Sequence, residues 1–372
     1  MNDKAMLSEQ QTSWLDLDYK PKLPKRIDTG IGIVGAGAIV QACHLPAYRK
    51  AGFNVVGIYD MDRSKAEQAA LTFGINHVFS SLDELLSHPE IEVVDIAIPA
   101  KFQPDTVERV VACGKHVLCQ KPLAETYEEA KRVADAVAAA GVKGAVNQQM
   151  RWAPGIQASK SIAKRGWLGE IIQATIQVNV FTDWEQWPWI TKIPTLEVMY
   201  PSIHYLDSIR YVVGKTPEYV YADGARFPGQ TSVGETRTLI HIKFPGETRG
   251  LVHDNHNHIA DPDDWYATFR FEGTDGIITG TNGALYNYPV GTEDTIRFYS
   301  KKIREGYWFS PKLEGKWFPD AFMGTMGELL RALEENREPE NSIRDNMTTI
   351  KMVFACYRSM NENRPVRLDE FD

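Results

Sequence analysis

Two residues of this chain have types and positions suited to proton transfer. Lys121 follows the apolar run His116–Cys119 and precedes Pro122, and His204 lies farther along in a helical pattern. Where the two meet at one hydroxyl, the imidazole of His204 can take its proton as the base while the Lys121 ammonium stabilises the developing alkoxide. Beside a hydride acceptor, they would suit the oxidation of a secondary alcohol. Tyr200, one helical turn before His204, could hydrogen-bond to that substrate or share the proton transfer.

The segment from Ile31 to Asp60 predicts a binding site for such a hydride acceptor. An apolar run leads into a turn from Gly35 to Val40, a helical pattern follows, and a second apolar run ends at Asp60. Gly35 permits a tight turn, and Gly37 lets the backbone approach a pyrophosphate at the helix N-terminus. We therefore predict a dinucleotide-binding unit. An ordinary glycine-rich turn is the alternative, since the third glycine position holds Val40.

Asp60 also indicates which dinucleotide is bound. A carboxylate there can accept hydrogen bonds from a ribose 2′-hydroxyl and would repel a 2′-phosphate, so NAD(H) is favoured over NADP(H). Arg63 is close enough in the sequence to weaken that preference. The other predicted cofactor contacts lie in the turn and after later strands: Ala38, Ile39, Val40, Pro99, Gln103, Gln120 and Lys121.

Several segments resemble the Gfo/Idh/MocA oxidoreductase family, which includes glucose–fructose oxidoreductase and inositol 2-dehydrogenase. Residues 114–123, GKHVLCQKPL, look like its Glu-Lys-Pro segment, and residues 150–154, MRWAP, look like its Arg-Phe-x-Pro turn. The resemblance implies catalytic roles for Lys121 and His204. Three further segments resemble features of the family. Residues 200–207 resemble its Asp-x-x-x-His-x-x-Asp helix, residues 168–171 resemble the start of its open sheet, and residues 363–366 resemble its usual chain end.

Two carboxylates of the family pattern are replaced here, by Gln120 and Tyr200. Their loss removes charges that would raise the pKa of neighbouring cations. Lys121 would then titrate lower, and His204 would lose an orienting partner.

The main hypothesis is an NAD(H)-dependent dehydrogenase or reductase for a ring alcohol of a sugar, cyclitol or glycoside, for example at C3 of a glucoside. The alternatives are a non-catalytic NAD-sensing regulator and an enzyme that keeps its cofactor and passes hydride between two sugars.

A loop rich in tryptophan predicts a substrate wall. Trp184, Trp187 and Trp189 alternate with Asp183 and Glu185. Aromatic faces can pack against sugar C–H groups while carboxylates bind hydroxyls, although tryptophans also serve as packing anchors. The complete set of predicted substrate contacts is Lys121, Arg151, Trp152, Trp184, Trp187, Tyr200 and His204.

A histidine-rich segment raises the question of a metal site. On a strand, His256 and His258 would share a face with Asp254 while His253 points away. Two imidazoles and a carboxylate could bind Zn²⁺. A polar sheet face or a subunit interface explains the same residues, and we predict no metal.

The pattern of elements predicts an α/β protein of two domains. Strands and helices alternate up to residue 149, which is typical of a Rossmann doubly wound parallel sheet. Longer alternating runs follow, which favour an α+β domain with a large open, mostly antiparallel sheet. We place an N-terminal arm at 1–28, the NAD-binding domain at 29–149 and the substrate-binding and oligomerisation domain at 150–372. The arm, which contains Pro21 and Pro24, would be disordered or would wrap a neighbouring subunit.

Composition excludes several classes of partner. The 372 residues carry a net charge of −8, which provides no basic surface for nucleic acid or an anionic membrane. No apolar run reaches transmembrane length, and residues 1–29 lack a signal-peptide pattern. Four cysteines without metal or disulfide spacing favour a reducing cytoplasm. An open sheet face usually seeks a partner, so we expect a homo-oligomer.

Overall fold

A computed structural model describes residues 16–286, 288 and 291–372. The N-terminal part forms a parallel sheet of six strands in the order β3-β2-β1-β4-β5-β6. Its strands are buried along almost their whole length, as expected for a sheet covered by helices on both faces. The strands are β1 (Gly30–Val34), β2 (Val55–Tyr59), β3 (His77–Val78), β4 (Ile91–Ile96), β5 (His116–Cys119) and β6 (Gly144–Val146).

Helices connect these strands, and local signals set their ends. Asp62, Ser81 and Thr126 each cap a helix N-terminus by accepting a backbone N–H two or three residues ahead. Gly52 and Gly141 end two of them in the left-handed conformation. The helices are α1 (Leu45–Ala51), α2 (Arg63–Phe73), α3 (Leu82–Ser87), α4 (Gln103–Ala112) and α5 (Tyr127–Ala140).

The second sheet has nine strands in the order β14-β13-β12-β11-β7-β10-β9-β8-β15. All neighbouring pairs are antiparallel except β7 and β10, which run parallel. The strands are β7 (Ile171–Asn179), β8 (Tyr219–Ala225), β9 (Arg237–Lys243), β10 (Arg249–Asn255), β11 (Tyr266–Gly273), β12 (Gly276–Thr281), β13 (Thr295–Ser300), β14 (Trp308–Phe309) and β15 (Val366–Arg367). The predicted fold class is thus confirmed, although the runs that form β13, β14 and β15 were not recognised in the sequence.

Three helices cover one face of this sheet: α6 (Pro154–Lys164), α7 (Ile203–Val213) and α9 (Ile343–Glu362). On the strands, inward residues alternate with outward ones, and Leu239 and Tyr221 remain exposed on the other face. Association of chains through that face stays a prediction. No helix in the described part of the chain is long and apolar enough to cross a membrane.

One helix from the C-terminal half of the chain belongs by its packing to the first domain. In α8 (Ala321–Glu334), Phe322, Met326 and Leu329 are fully buried in the same cluster as Tyr48 of α1. The two domains therefore share core residues.

The N-terminal arm lies against its own chain from residue 16 onward. Leu17 is buried, Lys20 pairs with Glu314 at 2.7 Å, and Arg26 pairs with Glu92. For residues 16–28, the structure thus corrects the expectation of a disordered arm, while contact with a neighbouring subunit stays a prediction. The first fifteen residues of the predicted arm lie outside the described part of the chain.

Candidate active site

The turn between β1 and α1 has the shape that a dinucleotide pyrophosphate requires. Gly35 has a φ of 107°, and a β-carbon there would collide with the carbonyl oxygen of Ala97, so glycine is needed. A β-carbon on Gly37 would meet no atom within 4 Å, which leaves room for a phosphate. Ala38 and Ile39 begin the helical segment that follows, where first-turn N–H groups lack an intrahelical acceptor. These residues fit a dinucleotide.

Val40 occupies the third glycine position of this turn, and its side chain packs in the protein core. Val40 is fully buried, and its N–H donates to the carbonyl oxygen of Gly37 at 3.1 Å. Neither its side chain nor its N–H is free for a cofactor, which corrects the predicted contact from Val40.

Asp60 closes the turn from the end of β2. Its carboxylate accepts hydrogen bonds from the N–H of Ala36 at 2.6 Å and of Asp62 at 2.8 Å. The Asp60 carboxylate therefore stabilises the turn, and it also lies at the position where a ribose is expected. Arg63 pairs with Glu67 of its own helix at 2.8 Å. Ribose binding by Asp60 and a cofactor contact from Arg63 stay predictions.

A buried network that the sequence did not reveal holds Gln120. Nδ1 of His44 lies 2.7 Å from the Asp95 carboxylate, which also accepts the Tyr48 hydroxyl at 2.7 Å. Because the carboxylate accepts, Nδ1 carries the proton, and Nε2 is left to accept from the amides of Gln120 at 3.1 Å and Asn147 at 3.2 Å. An ionised glutamate would repel that lone pair. The glutamine thus suits its surroundings.

The side chain of Lys121 is a partly buried cation two residues beyond the end of β5. Its Nζ donates to the carbonyl oxygen of Tyr200 at 2.8 Å and lies 5.8 Å from the centre of the Tyr200 ring. Burial lowers the pKa of Lys121 to about 7, because the ammonium loses hydration without gaining a neighbouring carboxylate. An amine with that pKa can give or take a proton near neutrality.

The carbonyl of Tyr200 is presented by an irregular turn before α7. Pro201 has no N–H to donate to the carbonyl oxygen of Glu197, so Ser202 donates to it instead at 2.8 Å. The resulting bond spans five residues and makes Val198–Ser202 a π-helical turn, a form often found at functional sites. Burial, followed by the charge of Glu125, raises the pKa of Tyr200, whose hydroxyl therefore stays protonated.

His204 lies in the first turn of α7, just beyond the π-helical turn. It is 6% exposed, and its Nδ1 has no hydrogen-bond partner among the described residues. Burial, followed by the nearby charge of Lys121, lowers the pKa of His204 well below its ordinary value. The imidazole is therefore neutral at neutral pH. That influence indicates that the Lys121 ammonium lies near the imidazole, and the catalytic roles of both residues stay a prediction.

A run of ring contacts leads from the tryptophan loop to His204. We call Trp187, Tyr288, Phe318 and Trp317 the aromatic wall. Adjacent rings along this series and on to His204 have centres 4.8 to 6.2 Å apart. Tyr288, Phe318 and Trp317 were not predicted, because no local pattern links them to the loop.

Trp184 stands behind this wall rather than in it. It is 9% exposed, and its ring centre lies 6.3 Å from that of Trp187 and 5.5 Å from that of His256. Trp189 is exposed and packs edge-on against Tyr200 at 5.6 Å. Of the loop tryptophans, Trp184 is mainly a packing anchor, while Trp187 and Trp189 keep accessible surface.

Arg151 and Trp152, both predicted to contact substrate, have structural places instead. Arg151 is 2% exposed and donates to Asp207 at 2.6 and 2.7 Å and to Asp345 at 2.6 Å, which joins α7 to α9. Trp152 is buried against Gly324 of α8, where a β-carbon would overlap the indole. Both predictions of substrate contact are thereby corrected.

Gln103 stabilises the segment that contains Lys121 and Pro122. It is fully buried and its amide donates to the carbonyl oxygen of Pro122 at 2.8 Å, next to Lys121. The amide nitrogen of Gln103 is thus engaged with that segment, and the predicted cofactor contact of Gln103 stays a prediction. Pro99 is exposed just beyond β4, where its predicted cofactor contact is untested.

The histidines around β10 separate in space. The strand ends at Asn255, so side chains beyond it no longer alternate as predicted. His258 lies 2.9 Å from Asp264 and 2.7 Å from Asn179, whereas His256 turns inward beside Asp254. The predicted set of His256, His258 and Asp254 on one face is therefore wrong.

Comparisons with known proteins agree with this architecture. The family model for the Gfo/Idh/MocA oxidoreductases with an NAD-binding Rossmann fold matches residues 29–148, and the model of the family's C-terminal α/β domain matches residues 160–368. A D-apiose dehydrogenase from Paraburkholderia graminis is 25% identical over 351 residues, which cover 91% of this chain and 90% of that protein.

Two solved structures have the same fold. An oxidoreductase from Agrobacterium radiobacter, in complex with NAD⁺, L-tartaric acid and magnesium, has a TM-score of 0.82 at 19% identity, with 93% of this chain and 100% of that chain covered. A levoglucosan dehydrogenase in complex with NADH and L-sorbose has a TM-score of 0.76 at 21% identity, with 91% and 98% covered. At these identities the likeness establishes the fold.

The chain belongs to the Gfo/Idh/MocA oxidoreductase family, because the two models together match most of its length. Residues 29–148 are its NAD-binding Rossmann domain, and the protein is an NAD-dependent oxidoreductase. The family, the fold class and the NAD cofactor predicted from the sequence are confirmed.

Proposed function

We propose that the protein transfers hydride between NAD and a ring carbon that bears a secondary hydroxyl in a sugar, cyclitol or glycoside. The observation that carries this proposal is the pairing of Lys121, whose pKa lies at about 7, with the buried neutral imidazole of His204. Lys121 lies two residues beyond the carboxyl end of β5, the edge of a Rossmann sheet at which ligands bind.

The pKa values assign the roles of the two groups. NAD supplies a hydride acceptor for the carbinol C–H. As that hydride leaves, Lys121 in its amine form takes the hydroxyl proton, and neutral His204 hydrogen-bonds to the same oxygen. In the reverse direction the Lys121 ammonium returns the proton to the carbonyl oxygen. This assignment exchanges the roles expected from the sequence, because His204 is too strongly desolvated to hold a proton.

The surroundings of this pair favour a carbohydrate ring. The buried Trp317 connects the aromatic wall to His204, and the accessible members Trp187 and Tyr288 offer apolar surface that suits the C–H face of a pyranose or furanose. The tryptophan loop adds Asp183 and Glu185, which are exposed and could accept hydrogen bonds from hydroxyls. Relatives named as D-apiose dehydrogenase and levoglucosan dehydrogenase support the same class of substrate.

The proposal predicts opposite pH dependences for the two directions. Oxidation needs the amine of Lys121, so log kcat/KM should rise by about one unit per pH unit up to the pKa at about 7 and then level off. Reduction needs the ammonium and should fall above the same pH. Nicotinamide absorbance followed on both sides of pH 7 measures both profiles. Profiles of the same sign in the two directions would contradict the assignment.

A substrate panel tests the activity itself. Purified protein with NAD⁺ should reduce the cofactor in the presence of at least one aldose, cyclitol or glycoside, and a cyclic alcohol with no further hydroxyls should be a poor substrate. Free sugars compared with their aryl glycosides would show whether the aromatic wall holds an aglycone. If calorimetry shows NAD binding and no panel member is oxidised, the non-catalytic regulator becomes the better explanation.

A further inference from the structure

Three buried side chains of types that bind metals converge behind the aromatic wall. Glu197 and Asp254 are fully buried, and His256 is 4% exposed. One ligand atom from each lies within 4.8 Å of the others. Nε2 of His256 is 3.2 Å from Oδ1 of Asp254 and 3.6 Å from Oε1 of Glu197. The sequence did not predict this cluster, since Glu197 is far from the other two along the chain.

The atoms that face one another in this cluster have no hydrogen-bond partner in the described structure. They are both carboxylate oxygens of Glu197, Oδ1 of Asp254 and Nε2 of His256. The atoms that face outward are satisfied: Asp254 Oδ2 accepts from the Ser202 hydroxyl at 2.6 Å, and His256 Nδ1 lies 2.7 Å from the Thr182 hydroxyl. Buried polar atoms in proteins are normally paired, so these four neighbouring atoms require either a proton shared between Glu197 and Asp254 or a bound cation.

The charge of the cluster calls for a cation. Neither Glu197 nor Asp254 has a Lys or Arg partner in the ion pairs of the described part of the chain. Glu235 adds negative charge nearby and is already satisfied by the N–H of Glu197 and the hydroxyl of Tyr357. Buried carboxylates require a compensating charge. One divalent cation with two carboxylates and a neutral imidazole makes a neutral complex.

We propose that Glu197, Asp254 and His256 bind a divalent transition-metal ion, with Zn²⁺ or Mn²⁺ as the fitting ions. Ligand atoms at about 2.0–2.1 Å from a tetrahedral Zn²⁺ stand about 3.3–3.4 Å from each other, and the observed separations of 3.2 and 3.6 Å bracket that value. An imidazole with carboxylates suits these ions better than Mg²⁺ or Ca²⁺.

A metal ion at this site would stabilise the Val198–Ser202 turn, which contains Tyr200. Glu197 precedes the Val198–Ser202 turn, Ser202 bonds to Asp254 at the end of β10, and His256 packs against Trp184. The hydroxyls of Ser202 and Thr182 are placed to orient the ligands. The bound ion fastens the turn that carries Tyr200 to the second sheet, and it does not touch the substrate.

Metal content and thermal unfolding of the full chain test this proposal. We expect about one ion per chain in the protein loaded with Zn²⁺ or Mn²⁺, and a Tm that falls on chelation and recovers when one of the two ions is added. Glu197→Gln and His256→Ala should lose both the bound ion and the recovery of Tm. His258→Ala is the matched control, because that histidine pairs with Asp264 outside the cluster, and it should bind the ion normally.

The opposite pattern would overturn the proposal. If neither ion binds and Glu197→Gln raises the Tm of the chelated protein, a proton shared between Glu197 and Asp254 neutralises the cluster. If Glu197→Gln binds the ion as tightly as the unchanged chain, the ion sits elsewhere. Neither result depends on turnover, so this test stands apart from the test of the proposed activity.

Discussion

Replacing Lys121 with alanine is expected to lower kcat/KM for hydride transfer by about 10³-fold, as for the loss of a positioned general acid–base group. The side chain contacts Tyr200 and has a pKa of about 7, so no other described group can exchange a proton there at neutral pH as readily. Initial rates with NAD⁺ and the best substrate of the panel measure the effect. NAD affinity, followed by calorimetry, should change little, because the turn from Gly35 to Ile39 is untouched.

Two further variants separate proton transfer from charge at this position. Lys121→Arg keeps a positive charge but cannot release its proton, so oxidation should stay slow at every pH. Lys131→Ala, at an exposed position of α5, is the matched control and should retain full activity. Turnover of Lys121→Ala within a few-fold of the unchanged chain would rule out Lys121 as the acid–base group.

Replacing Arg151 with alanine is expected to lower the free energy of unfolding by about 3–5 kcal/mol, because it leaves a buried carboxylate without its partner. Arg151 donates twice to Asp207, which is 1% exposed, and once to Asp345. These bonds hold α7, and with it His204, against α9. Urea unfolding followed by circular dichroism measures the loss.

The controls for this prediction distinguish charge from volume. Arg151→Met keeps most of the side-chain volume and should destabilise nearly as much, since the buried Asp207 still loses its two bonds to Arg151 and keeps only those to Arg210 and Thr349. Arg344→Ala, at an exposed position of α9, should change the unfolding free energy by less than about 0.5 kcal/mol. An Arg151→Ala variant as stable as Arg344→Ala would contradict a structural role and reopen substrate binding.

The Rossmann half of the fold was predictable element by element. Strand β5 has the bounds of the apolar run His116–Cys119, and Asp62 and Gly74 mark the two ends of helix α2 in an equally local way. The end of β10 was not predictable, since its pairing with β7 and β9 stops at Asn255 while the sequence pattern continues. Strand pairing is a property of neighbours, and the alternating pattern alone does not contain it.

The candidate site shows the same division. Lys121 and His204 were predicted because each carries a chemistry-bearing side chain at an expected place in the chain. Arg151 was predicted wrongly because an arginine in the sequence fits both a buried ion pair and a substrate contact. Its ion pairs with Asp207 and Asp345, which only the folded structure reveals, decide between the two roles. Trp317 and Phe318 were missed because aromatic residues rarely carry a local signal of what they face.

The sequence by itself determined the order of strands and helices in the first domain, the dinucleotide turn with its acid at Asp60, and the choice of Lys121 and His204 as the candidates for proton transfer. These depend on local conformation, apolar periodicity and residue type. Only the tertiary structure decided that Lys121 titrates near neutrality while His204 stays neutral, and that Glu197 meets Asp254 and His256. Desolvation and charge coupling arise from residues that are distant in the chain and become neighbours only in the folded protein.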